Sequence, residues 1–359
     1  MVARWIAAFI AFLVVVVAGI VGLGSFATDT EAANSFALIG AIALVAAFVV
    51  YAAVEYIQTR SVASISAQFD TRTLVLMPVA IAINIILGAT VANALKIPIY
   101  LDSIGTILVA ALAGPIPGAL TGALSNLLWT YVVPPPFQNS PAAAFAIVAA
   151  VIGVMAGLMA RGGWLRPRPN TPVGQLGIGA ALTVAVILGM SWLAYLGWTS
   201  PAFGGDVNFD VAGSEAIFTV LGWLVLLLVA GTVIGLLVVL FWRRDLAAAY
   251  VVVAGLATGI VAALISAPIS ASVFGGVTGG GTDFLVAALR QAGADIGAAT
   301  LGQGLISDPI DKITTFFVVY LILAAMARRV KARFPQGEAL LERGDRRTAD
   351  EGEWRGAPA

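Results

Sequence analysis

Cysteine and histidine are both absent from this 359-residue chain, and charged residues fill only 11% of its positions. Without thiols there is no disulfide and no thiolate nucleophile, and without imidazole the side chain most used to move protons near neutral pH is missing. The usual zinc ligands go with them. Acid–base or metal chemistry would rest on carboxylates alone, so no cofactor is expected and the chain does not read as an enzyme. The scarcity of charge excludes more. A soluble domain carries about 25% charged residues because its surface must face water, and this chain has too few to cover a soluble particle. No G-x-x-x-x-G-K-[ST] phosphate loop occurs either, and the short basic connections leave no room for an ATPase. Any ATP-driven work would need a motor supplied by another chain.

What is present is apolar. Hydrophobic residues make up 60% of the sequence and glycines number 39, a composition suited to membrane helices that pack through small residues. A spanning helix needs about 20 mostly apolar residues. On that criterion the chain is all-α, a polytopic transmembrane bundle of about 10 helices. The spans are Trp5–Leu23, Phe36–Tyr56, Leu74–Leu95, Leu101–Ala113, Gly118–Val133, Ala142–Ala160, Val173–Trp198, Ala216–Trp242, Ala247–Ile269 and Ile310–Ala327. The first, behind Arg4, has too long an apolar run for a signal-peptide core and reads as retained.

Basic residues in the connections set the orientation. With the N-terminus inside, the cytoplasmic side collects Arg4, Arg60, Arg72, Arg161, Arg166, Arg168, Arg243, Arg244, Arg328, Arg329, Lys331 and Arg333. The outer side keeps Lys96, Arg290 and Lys312, so both termini are predicted to be cytoplasmic in a multi-pass cell-membrane protein. Residues 1–72 hold two helices and a cytoplasmic loop, 73–334 form the main membrane domain, and 335–359 mix charge with Gly and Pro, as a disordered tail does. Two outer connections are long. Thr199–Glu215 carries Asp206, Asp210 and Glu215, and Phe274–Ser307 opens on a Gly-rich run before Thr282 caps a short amphipathic helix, Asp283–Ala292, ended by Gly293. Each reads as a lid over a site or as a solvated connector.

Several residues are candidates for function. Leu101–Ala113 and Gly118–Val133 are short and joined by Gly and Pro, a pointer to substrate sites in transporters. They form either a tight hairpin that crosses the membrane twice, the favoured geometry, or a re-entrant loop. Asn126, Trp129 and Thr130 share one helix face, where an amide, an indole and a hydroxyl would hold a small, partly aromatic ligand. The alternative is an interfacial aromatic belt with Asn126 bonding a neighbouring helix. Asp102 and Lys96 flank the preceding turn and would pair or hold a ligand, and Gln303 lies at the same outer level. Asn84, at mid-span, reads as glue between helices. Gly118 and Gly122, doubled by Ala119 and Ala123, make a small-xxx-small ridge, and Gly255 and Gly259 repeat it. Such a ridge packs within the chain or docks a partner membrane protein. Asp308, Pro309 and Asp311 read as the capped start of the last span, with Lys312 snorkelling at the outer surface. No carboxylate is then expected at mid-depth, which argues against an ion-driven carrier.

Three stretches carry a resemblance to a known family. IYLDSIGTIL (Ile99–Leu108) and AGPIPGALTGALSNL (Ala113–Leu127) resemble the second and third helices of substrate-specific (S) components of energy-coupling factor (ECF) transporters. SDPIDKIT (Ser307–Thr314) resembles the start of their final helix. The resemblance spans roughly Leu74–Ala160 and Ala247–Arg333. It implies a six-helix core that captures a vitamin or similar micronutrient from outside, in a prokaryotic plasma membrane. It also implies docking, through small-residue surfaces such as that around Gly118 and Gly122, on a transmembrane coupling (T) component with ABC-type ATPases. The chain departs from the family in size: two helices precede the matching region, and two more, within about 173–242, interrupt it. Ion-coupled secondary transport and a membrane sensor or scaffold reporting through the tail are the competing functions.

The cysteine-free background makes the orientation directly testable. A single cysteine at Gly162 is expected to react with a membrane-impermeant maleimide only after the membrane is broken, and one at Ala292 to react in intact cells.

Overall fold

The structure, a computed structural model, describes residues 2–22, 29–94, 99–199 and 216–341. Lys96, the carboxylates Asp206, Asp210 and Glu215, and the tail from 342 onward lie outside the described residues. In chain order the α-helices are α1 Val2–Gly22, α2 Asp29–Thr59, α3 Ala63–Ser66, α4 Thr71–Gly88, α5 Ile104–Ala113, α6 Pro115–Tyr131, α7 Ala146–Arg161, α8 Val173–Thr199, α9 Ala216–Phe241, α10 Ala247–Phe274, α11 Asp283–Gln291, α12 Ile296–Ala325 and α13 Arg328–Lys331. A π-helical turn, Ala89–Ala94, prolongs α4, and 3₁₀ turns lie at Ser140–Phe145 and Gly337–Leu340. No strand occurs among the described residues. Four helical stretches there, Ser35–Thr59, Thr71–Val91, Ser140–Arg161 and Ala247–Phe274, are long and apolar enough to cross a membrane, and shorter apolar helices accompany them. The chain is a helical, membrane-type bundle.

The middle of the bundle is α5, whose ten residues are all buried. A helix apolar on every side is stable only when covered on every side. Its cover is α4, α6, α7 and α12. Gly114, at φ +128°, makes the turn from α5 into α6, a conformation open to glycine alone, and Pro115 then starts α6 where a missing N–H costs nothing. Asn84 of α4 joins three helices. Its amide donates to Thr106 Oγ1 at 2.8 Å and Ser125 Oγ at 3.0 Å, and its oxygen accepts the Gly105 N–H at 2.8 Å. That agrees with the helix-glue expectation.

Close approach does the rest of the packing. A Cβ on Gly118 would run into Ala110 of α5, one on Gly122 into the Ala149 carbonyl of α7, and one on Gly153 of α7 back into Gly118. Ala119 and Ala123 pack beside Ala146, Ala150 and Leu44. The ridge on α6 is therefore consumed inside the chain, which corrects the partner-docking role for Gly118, Gly122, Ala119 and Ala123. The side of α6 left uncovered carries Leu120 and Leu124. The second ridge does the same work elsewhere: Gly255 lies on Ile313, and Gly259 lies on Pro309, both in α12.

One end of the bundle is rich in arginine. Asp245 accepts the Arg168 N–H at 2.8 Å, the Ala247 N–H at 2.8 Å and the Tyr320 hydroxyl at 2.9 Å. The Arg168 guanidinium lies 3.8 Å over the Tyr250 ring. Gln336 is inserted between helix ends: its backbone N–H donates to the Leu112 carbonyl at 2.8 Å and its amide to the Gly157 carbonyl at 2.9 Å, while Arg161 donates to its oxygen at 3.2 Å. Leu340 is buried as well. Residues 335–341 are thus packed, not part of a disordered tail, because Gln336 bonds the Leu112 carbonyl, bare at the end of α5, and reaches the last turns of α7.

The last long helix also departs from expectation. It begins at Ile296, where Asp295 accepts the Ala298 N–H at 2.8 Å, and runs on through Pro309. Asp308 and Asp311 accordingly do not cap a helix start. They lie inside α12.

If close approach sets the packing, Gly122→Leu should lower stability by about 1–3 kcal/mol through forced separation of α6 and α7. Leu124→Val, on the uncovered side, should stay within about 0.5 kcal/mol of wild type. Thermal unfolding of the purified protein in detergent reads both.

Candidate functional site

α5 runs from the Gln336 end of the bundle to a cleft at the opposite end. The backbone leading into α5 is irregular there. Leu101 holds φ at +52° while buried, a left-handed conformation that costs a bulky residue about 1–3 kcal/mol. Its N–H donates to Asp311 Oδ1 at 2.7 Å, which holds the bend and leaves Asp102 at the cleft wall. Asp311 is 0% exposed, and its other oxygen accepts from Lys312 Nζ, itself only 3% exposed. The ammonium also donates to Ser103 Oγ at 2.9 Å and stands 3.8 Å from Asp102 Oδ1. An ammonium has three N–H donors, and these three groups surround it. Lys312 does not snorkel; it is the bonded centre of a buried cluster. Asp102 pairs with it, while Lys96, its other expected partner, lies outside the described residues.

Asp308 lies one turn from Lys312 on the same helix and is 7% exposed. Its hydrogen bonds are long: Ser307 Oγ donates to one carboxylate oxygen and Ser266 Oγ to the other, each at 3.5 Å. Carboxylates therefore lie buried within α12 and not at an exposed helix start.

The cleft encloses about 890 Å³ between protein atoms with its open mouth included, of which about 100 Å³ admits the centre of a water molecule. That enclosed part is smaller than the roughly 300–1,000 Å³ of drug-sized ligand pockets, so the cleft suits a small molecule. One wall is aromatic, with Tyr100, Trp129 and Phe145, and the other carries Ser266, Gln303, Asp308 and Lys312. Trp129 is fixed by its indole N–H, which donates to the Phe137 carbonyl at 2.8 Å, and by contact of its ring with Gly88. The Tyr100 hydroxyl is 2.7 Å from Thr282 Oγ1, joining the α5 lead-in to the start of α11. Burial, reinforced by the nearby Asp308 charge, raises the Tyr100 phenol well above its ordinary range, so it stays protonated. The Gly-rich loop before α11 contributes Thr278 and Gly280 to the rim. Asp283 orders that loop by accepting the Thr278 and Gly279 N–H groups at 3.0 and 2.7 Å.

Four of the five ligand candidates line this cleft: Asp102, Asn126, Trp129 and Gln303. Asn126 is 7% exposed, and among the described residues its amide makes no hydrogen bond. Gln303 donates to Ser307 Oγ at 2.6 Å. Thr130 is the exception. Its hydroxyl donates to the Asn139 carbonyl at 2.8 Å and accepts the Ala143 N–H at 2.8 Å, so it pins the connection into α7 and does not face the cleft.

Sequence reasoning missed Asp308, Asp311, Lys312, Tyr100 and Ser103. The signal for the first three was periodicity: Gln303, Ser307 and Asp311 repeat at i, i+4, i+8, and Asp308 and Lys312 run alongside, which is one polar stripe of a continuous helix. Comparison of the chain with known protein families, with curated proteins and with solved structures finds no match.

The buried pair gives a double-mutant prediction. Asp311→Asn and Lys312→Met should each destabilise the protein by about 3–5 kcal/mol, because each leaves a partner charge buried alone. The double variant should lose clearly less than the sum. Unfolding curves of the three variants in one detergent decide it, and strict additivity would contradict the pairing.

Proposed function

We propose that this protein is the substrate-binding membrane subunit of an ATP-driven importer of the energy-coupling factor type, and that the cleft captures a small, micronutrient-like molecule from the outer side. One observation carries the proposal. Two of the motifs that resemble the S components, Ile99–Leu108 and Ser307–Thr314, are about 200 residues apart in the chain yet meet at one cleft, through Tyr100, Asp102 and Ser103 on one side and Asp308 and Lys312 on the other. Asn126, from the third motif, faces the same space.

Other features agree. The walls combine aromatic surface with a few convergent polar groups, as small-molecule sites do. The cleft lies at the end of α5 away from the arginines, so by the positive-inside rule it opens to the exterior and both termini are cytoplasmic. The sequence contains no nucleotide-binding loop, so a coupling component and ABC-type ATPases would supply the motor. Their docking surface is not the α6 ridge, which is spent internally.

A second reading, ion-coupled secondary transport, is favoured by the buried cluster of Asp102, Asp308, Asp311 and Lys312, since ionisable groups deep in a bundle mark ion pathways in carriers.

The two separate in one experiment. Wild-type protein purified gently in lipid should retain a small molecule detectable by mass spectrometry, and Trp129→Ala and Asn126→Leu should lose it. Vesicles holding the chain alone should not accumulate that molecule under an imposed proton or sodium gradient. Accumulation driven by the gradient would establish the carrier and refute the importer subunit, and equal retention by the variants would refute the cleft as the site.

A further inference from the structure

We infer that the cleft selects a ring-bearing organic cation, a molecule with a protonated amine beside a flat ring, and excludes anions of the same shape. The inference rests on the cleft being the binding site.

Charge accounting around the cleft gives the sign. Lys312 is the one cationic side chain among the described residues that line it. Its ammonium is bonded to Asp311 and Ser103 and lies 3.8 Å from Asp102, so its charge is already held by carboxylates of the protein itself. Asp311 cancels its charge and is turned to the Leu101 N–H, away from any ligand. Asp102, beside the same ammonium, and Asp308 both line the cleft, so carboxylates outnumber the single cation among the described lining residues. Asp308 is the sharper case. It is more than nine-tenths buried, forms no ion pair and is held only by two hydroxyls at 3.5 Å, a distance at which a charge-assisted bond is barely made. A buried carboxyl this poorly satisfied either keeps its proton or takes a donor that carries positive charge.

A second observation, independent of the acids, points to a ligand. The Asn126 amide is also more than nine-tenths buried, lines the same space, and makes no hydrogen bond among the described residues, so an acceptor and two donors stand ready for a heteroatom. Aromatic side chains, Tyr100, Trp129 and Phe145, line the same cleft. Trp129 is locked by its own N–H bond, so it offers the ring and not a donor, and a flat cationic molecule beside it gains from stacking and from the negative ring face. The Tyr100 hydroxyl is committed to Thr282. Neutral donors and acceptors line the cleft together; what tips the sign is the excess of carboxylates over cations.

Three indoles with one ring and different tails test this: tryptamine (cationic), tryptophol (neutral) and indole-3-propionate (anionic). Each is titrated calorimetrically against the full chain in lipid nanodiscs. Tryptamine is expected to bind at least about 10-fold more tightly than the other two, the scale of a hydrogen bond to a charged group. Asp308→Asn should abolish that preference. Asp102→Asn, at the more open carboxylate, should reduce it and guards against misfolding of the first variant. Trp129→Ala should weaken all three. Preference for the propionate, or equal binding unchanged by both Asp variants, overturns the cation while leaving the cleft intact as long as Trp129→Ala still weakens binding. Absence of binding by all three, or binding indifferent to Trp129→Ala, removes the cleft as the site and the inference with it.

Discussion

Asp311 and Lys312 lie side by side inside a helix with almost no exposed surface, and neither could be taken out of water alone. Removing one partner of such a pair costs about 3–5 kcal/mol, because the other is stranded. What makes the pair tolerable is that both groups find further polar partners. Asp311 takes the N–H of a left-handed Leu101, and Lys312 reaches Ser103 and Asp102, so the irregular lead-in to α5 is shaped by charges on α12. The bend that puts Tyr100 and Asp102 at the cleft is a consequence of that pair, not of local preference. Leu has no reason of its own to adopt φ above zero.

The walls must be stiff for the pair to have this effect, and glycine supplies the stiffness. α12 comes close to α10 at Gly255 and Gly259, and α6 to α5 and α7 at Gly118 and Gly122. Lipid offers helices no hydrophobic drive to associate, so contact of this kind has to hold them. Gly259 lies against Pro309, the residue that interrupts the α12 hydrogen-bond ladder one position after Asp308. Proline and carboxylate therefore sit at one of the places where α12 is pressed against α10. A cleft built this way has preformed walls, and its mobile candidate is the rim, where the Gly-rich loop is tied to the body through Thr282 and Tyr100.

The bundle itself was legible in composition: the apolar runs of α1, α2, α4 and α6 to α10 follow directly from residues with little charge. So were α11 and its Gly293 stop, although Thr282 makes no capping bond and pairs with Tyr100 instead, and two members of the cleft lining, from the i, i+3 spacing of Asn126 and Trp129. The start of α12 was not. Ser307, Asp308 and Pro309 match the local chemistry of a helix cap, and local chemistry cannot reveal that these polar groups face a cleft rather than water. The same blindness made Lys312 a surface residue. The ridge at Gly118 carried the opposite ambiguity, since a small-residue face serves an internal helix or a foreign one equally well and only the position of α7 decides. Gln336, in a stretch that reads as tail, gave no warning at all. A single side chain bridging helix ends leaves no periodic trace.

An experimental structure of the full chain in a lipid nanodisc bears most directly on this account. It should show α12 continuous from Ile296 through Pro309, with the Lys312 ammonium between Asp311 and Ser103 at the floor of a cleft beside Trp129. A helix that starts at Asp308, with Lys312 turned out to the lipid headgroups, would contradict it.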